Sequence, residues 1–375
     1  MNDRDLVSSE WGYVLSVLPG DLEEGAVEKL AIQRRRHITS AADLLRLILA
    51  YSLCDFSLRQ TAAWAKLIGL ADVSDVAVLK RLKSASDWVA HLVMQCLRLR
   101  GLASPRSRLR IRVVDATTVA EPGSKGTDWR LHLGLDLATE TIIGVEVTGA
   151  EGGETLTRHP VEQNEVFVAD RGYAHREGAA SVLRRQGHVL LRINAQNFPL
   201  ETRTGVPLDL LTSLETLGPN EIGDWPVAFR AEKVTYPIRL LAMRRSQAAI
   251  EKEQRRIARL ANKRGNKTSE KTMRCAHFIV LVTDLPPAML PTHEAFELYR
   301  LRWQIEIAFK RLKSLLHLDR LRAQDPALVR CYLYGKILSA ILLDDLIERL
   351  PAFSPWGFPL VPSPTFPLAL VTTLD

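Results

Sequence analysis

Apolar positions set out the organisation of the chain before any motif is sought. Over residues 1–105 they recur at helical spacing, as in Asp43-Leu44-Leu45-Arg46-Leu47-Ile48-Leu49 and Trp88-Val89-Ala90-His91-Leu92-Val93, with no strand pattern between them. Ser57 is placed to cap a helix through Trp64, Gly69 to end the next turn, and Ser74 to cap a helix carrying Lys80, Arg81 and Lys83. This is the outline of a DNA-reading helix-turn-helix, and plain helical packing accounts for it equally well. After Pro105 the period changes: residues 108–114 alternate Arg with Leu, Ile and Val, as in a half-buried strand. Residues 129–136 and 141–147 predict two further strands around a turn at Ala138-Thr139-Glu140. The run Val166-Phe167-Val168-Ala169 fits a central strand covered on both faces, with a helix over 175–186 and a strand over 189–193 behind it.

Three strands in a meander, then alternating helix and strand, is the order of a ribonuclease H-like α/β fold. The order breaks over residues 195–286, where strand-like pieces at 227–229 and 238–242 precede a basic helix at 247–263. Lys252, Arg255, Arg256, Arg259 and Lys263 crowd that helix, and Arg264 and a polar stretch follow. A solvated helix balanced by Glu251 and Glu253 and a phosphate-tracking helix both fit this pattern. Residues 277–283 predict a strand, and Thr292 with Glu294 behind it predicts the cap of a helix that continues past residue 313. The expected segments are a helical DNA-binding domain (1–105), a core in two parts (106–194 and 287–350), a mostly β insertion (195–286) and a tail (351–375). The tail holds six prolines and cannot form a regular element.

Composition narrows the class without choosing a function. With 46% hydrophobic and 25% charged residues the chain is globular, and 375 residues predict two or three domains. Lys and Arg exceed Asp and Glu by 50 to 43, a formal +7 that favours a polyanionic partner. Cys54, Cys96, Cys275 and Cys331 are far apart and form neither a zinc knuckle nor a disulfide framework. No signal-peptide pattern and no apolar run of about 18 residues is found, so a cytosolic protein without a membrane partner is expected.

The chemistry gathers at three carboxylates. On a helix, Tyr299, Arg302, Glu306 and Lys313 fall within roughly 60° of one another, while Leu301, Ile305, Ala308, Leu312 and Leu315 take the packing face. An ordinary i,i+4 ion pair explains Arg302 and Glu306 as readily as a functional stripe does. Asp115 keeps the parity of Leu109, Ile111 and Val113, so it points to the apolar side of its strand, where a lone carboxylate needs a cation. A capping role through Thr117 or Thr118 is the plain alternative. Asp170 ends the most apolar strand, with Gly172 allowing a sharp turn, and an Asx-turn is the plain alternative there. Two aspartates and Glu306 together are a hard oxygen set suited to Mg²⁺ or Mn²⁺. Two such ions can activate a water or 3′-hydroxyl and stabilise a leaving oxygen in phosphodiester cleavage.

Val113-Val114-Asp115-Ala116-Thr117-Thr118, Pro122-Gly123-Ser124 with Asp128-Trp129-Arg130-Leu131-His132, Ala169-Asp170-Arg171-Gly172-Tyr173, and Tyr299, Arg302, Glu306 and Lys313 carry a resemblance. Together they resemble the DDE transposases of bacterial insertion sequences, in the insertion-sequence-four branch with its Tyr-Arg-Glu-Lys signature, over about residues 40–350. The resemblance implies a ribonuclease H-like core interrupted by an insertion, and cut-and-paste DNA transposition. Two divalent ions would be held by Asp115, Asp170 and Glu306. Tyr299, Arg302 and Lys313 would grip phosphates of the terminal inverted repeat, in a homodimeric synaptic complex that also takes target DNA. Similar enzymes cut through a hairpin, and some hold a flipped base against an insertion tryptophan, for which Trp225 is the candidate. Arg255, Arg256 and Arg259 are expected to line the DNA path. The tail departs from the family's helical C-terminal region, as a frameshift or a truncated copy would. The competing readings are a ribonuclease H-like nuclease without strand transfer, and an idle remnant that only binds DNA.

Overall fold

The structure is a computed structural model that describes residues 10–103, 109–193, 197–219, 221–263, 265 and 269–349. The expected boundary at 105, Asn194, Arg264 and the proline-rich tail lie outside the described residues.

The N-terminal part is helical throughout its described length: α1 (Glu10–Ser16), α2 (Leu22–Glu28), α3 (Ala41–Ser52), α4 (Leu58–Leu67), α5 (Asp75–Ser84) and α6 (Ser86–Ala103). Ser57 caps α4 in a reciprocal box with Gln60, and Ser74 accepts the Ala77 N–H to cap α5. Gly69, at φ +69°, turns the chain between them.

The remainder is built on one sheet of eight strands: β1 (Arg110–Val119), β2 (Trp129–Asp136), β3 (Ile142–Gly149), β4 (Glu165–Ala169), β5 (His188–Arg192), β6 (Ile222–Ala231), β7 (Val234–Arg244) and β8 (Phe278–Thr283). Their spatial order is β3-β2-β1-β4-β5-β8-β7-β6. The first three form the expected antiparallel meander, β4 and β5 run parallel to β1, and β8 returns antiparallel to β5. The β6–β7 hairpin of the expected insertion hydrogen-bonds to β8, so it extends this same sheet.

Helices α7 (Arg176–Arg184), α8 (Leu210–Leu214), α9 (Gln247–Lys263), α10 (Glu270–Cys275), α11 (Thr292–Arg300), α12 (Trp303–Leu316) and α13 (Pro326–Arg349) complete the described structure. Alternate residues of the central strands enter two separate cores. Val113, Val168, Leu190 and Leu281 join the N-terminal helices, α12 and α13 on one face, while Val114, Ala169, Leu191 and Val282 join α7 and α8 on the other. By length and apolar composition α13 is able to cross a membrane, yet most of its surface is buried inside the protein. Lys336, at its centre, is fully buried and donates to Asp55 at 2.9 Å.

Five expectations are corrected. The helix from Thr292 is not continuous: it breaks at Leu301–Arg302 and restarts as α12. Thr292 is not its cap, because its hydroxyl donates to Asp224 at 2.7 Å, and Leu315 is 73% exposed rather than packed. Strand β1 runs on to Val119, and Arg112 is not on a wet face: it is buried, donates to Glu165 at 2.6 Å and lies over the Phe167 ring.

Candidate active site

Strand direction delivers the two aspartates to one place. Asp115 lies in β1 one residue past Val114, and Val114 pairs with Ala169, after which the chain leaves β4 at Asp170. Parallel strands therefore present both carboxylates at the same end of the sheet. Each is held by the local backbone: the Ala116 N–H donates to Asp115 Oδ1 and the Gly172 N–H to Asp170 Oδ1, both at 2.8 Å.

Gly172 does not need a left-handed backbone, since its φ is not among the positive ones. Its requirement is steric, because a Cβ there would collide with Glu154 Oε2. Glu154 thus stands against the Asp170 turn as a further carboxylate that sequence reading missed. It sits in the irregular stretch after β3, where no period marks it.

Arg302 ties the third acid to the first. The break between α11 and α12 places it at the head of α12, where one guanidinium nitrogen donates to Asp115 Oδ2 at 3.1 Å and another to Glu306 Oε1 at 2.6 Å. The i,i+4 pair is present, and it is also a bridge from α12 to β1. The guanidinium carbon lies 6.0 Å from the Tyr299 ring centroid, and the Tyr299 hydroxyl is buried without a hydrogen-bond partner. Lys313 is half-buried further along α12.

The charges around Asp115 are unbalanced. Burial pushes its carboxyl up to about 6, the negative charges of Asp170 and Glu154 push the same way, and the Ala116 N–H and Arg302 oppose them. Glu154 is raised by burial and by Asp170. Among the described residues, no three His, Cys, Asp or Glu side chains lie close enough together to hold a single metal ion. Asp115 and Asp170 are neighbours, and Glu306 joins them through Arg302.

Of the other expected residues, Arg256 donates to both oxygens of Glu253 at 2.8 Å, and Glu253 lies 3.7 Å from Arg171, the residue after Asp170. This brings α9 beside the carboxylates. Arg255 and Arg259 are exposed on the same helix, and Arg255 Nε donates to the Glu251 carbonyl. Trp225 is not brought to the site: it lies on edge strand β6, with its ring over Gly223.

Residues 106–342 match the family described as Transposase DDE domain, and the chain belongs to that family. It is a DNA transposase, an enzyme that cuts and joins DNA. It is similar to the transposase of insertion sequence element IS421 from Escherichia coli, 35% identical over 355 residues that span 92% of this chain and 96% of the relative. The transposase of insertion sequence element IS231F from Bacillus thuringiensis subsp. israelensis is 33% identical over 272 residues, 64% of this chain and 57% of that one.

Proposed function

We propose that the chain performs cut-and-paste transposition at the terminal inverted repeats of an insertion sequence, with Asp115, Asp170 and Glu306 as its catalytic carboxylates. The observation that carries this is the Arg302 bridge, which joins carboxylates from β1 and α12 that are far apart in sequence. The strand order β3-β2-β1-β4-β5 supports a ribonuclease H-like core.

A pair of Mg²⁺ or Mn²⁺ ions fits these residues by chemistry: the donors are hard oxygens, and the raised Asp115 carboxyl is a buried acid short of positive charge. Asp115, Asp170 and Glu306 would hold them, and once bound they would activate a water or 3′-hydroxyl and stabilise the leaving oxygen. Arg302 supplies positive charge between Asp115 and Glu306. On binding DNA, Arg302 turns to the phosphate, as a planar donor fork does, and Tyr299 and Lys313 grip the same backbone. The exposed cations of α9 follow the DNA path, the α4–α5 pair contacts DNA away from the cut, and two copies of the chain hold two ends in the synaptic complex. Its place of action is the chromosome in the cytoplasm of a bacterium.

The test is Mg²⁺-dependent joining of pre-cut element ends to a target plasmid. A transposase joins them, a nuclease only cuts, and an idle remnant only binds. Absence of joining with intact binding refutes the proposal.

A further inference from the structure

Two more strands, β5 and β7, end on the side of the two aspartates. β4 and β5 are parallel, β8 is antiparallel to both β5 and β7, and β7 therefore runs in the direction of β5. Ala169 lies opposite Leu191, and Leu281 opposite both Arg192 and Leu241, so β7 runs on past the level of Arg192 before it reaches Arg245, whose charge still acts on Arg192 and Arg171. What leaves the sheet at this end is Asp170-Arg171 from β4, Arg192 from β5 and Arg245 just past β7. A row of guanidiniums thus continues the line begun by the carboxylates.

Among the described residues this row is short of acceptors. Arg171 Nε and Arg192 Nε are buried without hydrogen-bond partners, as is the nearby Tyr299 hydroxyl, and Arg245 Nε has only a long 3.4 Å bond to the Phe278 carbonyl. Among the described residues, the carboxylate that faces these cations is Glu253 of α9, 8% exposed. Both of its oxygens are already taken by Arg256, and it reaches Arg171 only at 3.7 Å. Burial and the charge of Arg192 lower the Arg245 guanidinium from its ordinary value, as repulsion among crowded cations requires. Buried donors without acceptors are costly, and a tetrahedral anion with several oxygens satisfies planar forks from several sides at once.

We propose that Arg171, Arg192 and Arg245 form a phosphate subsite for the DNA strand next to the scissile position, and that Glu253 is the internal anion that occupies it when no strand is bound. This rests on reading the carboxylates as a DNA-cutting site. Entry of a phosphate displaces Glu253 toward Arg256 alone, so the chain resists unspecific polyanions until a strand is seated along the sheet edge. No bond is made or broken in this exchange.

The test uses the full chain with a fluorescein-labelled DNA duplex bearing a single-stranded 3′ overhang, in EDTA to prevent cutting, over a salt series. Glu253→Gln is expected to tighten binding and steepen the log–log salt slope by about 0.9, the value of one added phosphate contact. Arg245→Gln is expected to weaken binding and flatten the slope by about the same amount, with the double variant near wild type. Should Arg245→Gln fail to fold, the isosteric Glu253→Gln decides alone. Wild-type joining of DNA ends together with an unchanged slope in Glu253→Gln overturns the subsite and leaves the transposase reading standing. A wild-type chain that neither binds nor joins DNA overturns both.

Discussion

Replacing Asp115 by Asn should make the protein more stable at neutral pH while abolishing DNA joining. The Asp115 carboxyl is raised from 3.8 to about 6, chiefly by burial. The fold therefore favours its neutral form, and wild-type stability declines as pH rises from about 4 through about 6. A shift near two units corresponds to about 3 kcal/mol at pH 7. Asn keeps an oxygen for the Ala116 N–H, and the opposing charge of Arg302 is already contained in the raised value, so the gain stays at about 3 kcal/mol. For a chain of this size that is a rise in Tm of roughly 4 °C. Thermal unfolding in EDTA from pH 4 to 8 should show no difference between Asp115→Asn and wild type at the acid end, and a gap that opens through pH 6. Added Mg²⁺ should narrow the gap by stabilising the wild type alone. A variant no more stable than wild type at pH 8, or a gap that does not change with pH, would refute the idea that Asp115 is held charged at a cost.

Arg302→Ala removes the cation opposing the rise of Asp115, so that carboxyl should titrate above about 6, read by the pH dependence of unfolding. The same change, and Lys313→Ala, should each flatten the salt slope of end binding by about one phosphate; an unchanged slope returns them to a solvated helix face. Asp170→Ala, Glu306→Ala and chelation of divalent ions should each eliminate joining and leave gel-shift binding of element ends largely intact. Charge reversal at Arg255 and Arg259 should weaken DNA binding steeply at moderate salt with little change in Tm, since both are exposed. Adding Arg256 to the set also releases Glu253, so the pair is the cleaner test.

Local chemistry was legible wherever a short-range rule decides the outcome. The β2 strand has the expected bounds, and Ser57 and Ser74 cap as their spacing requires, because alternation and side-chain capping act over a few residues. The break at Leu301–Arg302 was not legible: neither Pro nor Gly marks it, and the apolar period passes through it from Phe296 to Ile305 and Phe309. What holds it open is tertiary, including the grip of Arg302 on Asp115. Arg112 misled for a related reason, since only the fold supplies Glu165 and the Phe167 ring to a buried guanidinium. Asp115, Asp170 and Glu306 were picked out by strand ends and motif, whereas Glu154, Arg171, Arg192 and Arg245 gather from separate strands and loops and share no sequence spacing.

The join between β5 and β8 has a mechanical consequence. Leu190, Leu191 and Arg192 pair across it with Thr283, Val282 and Leu281, and the Ile193 N–H adds one bond to the Val280 carbonyl. Load passed through the sheet itself, between the five-strand half that carries the aspartates and the three-strand half that carries Arg245, crosses this narrow seam. Force applied by a bent DNA duplex would concentrate there, and a slip of the seam by one residue would turn Leu190 and Leu191 out of their respective cores. The seam is thus the fuse of the sheet, where strain from the substrate would first be felt and where a proline would separate the two halves of the site.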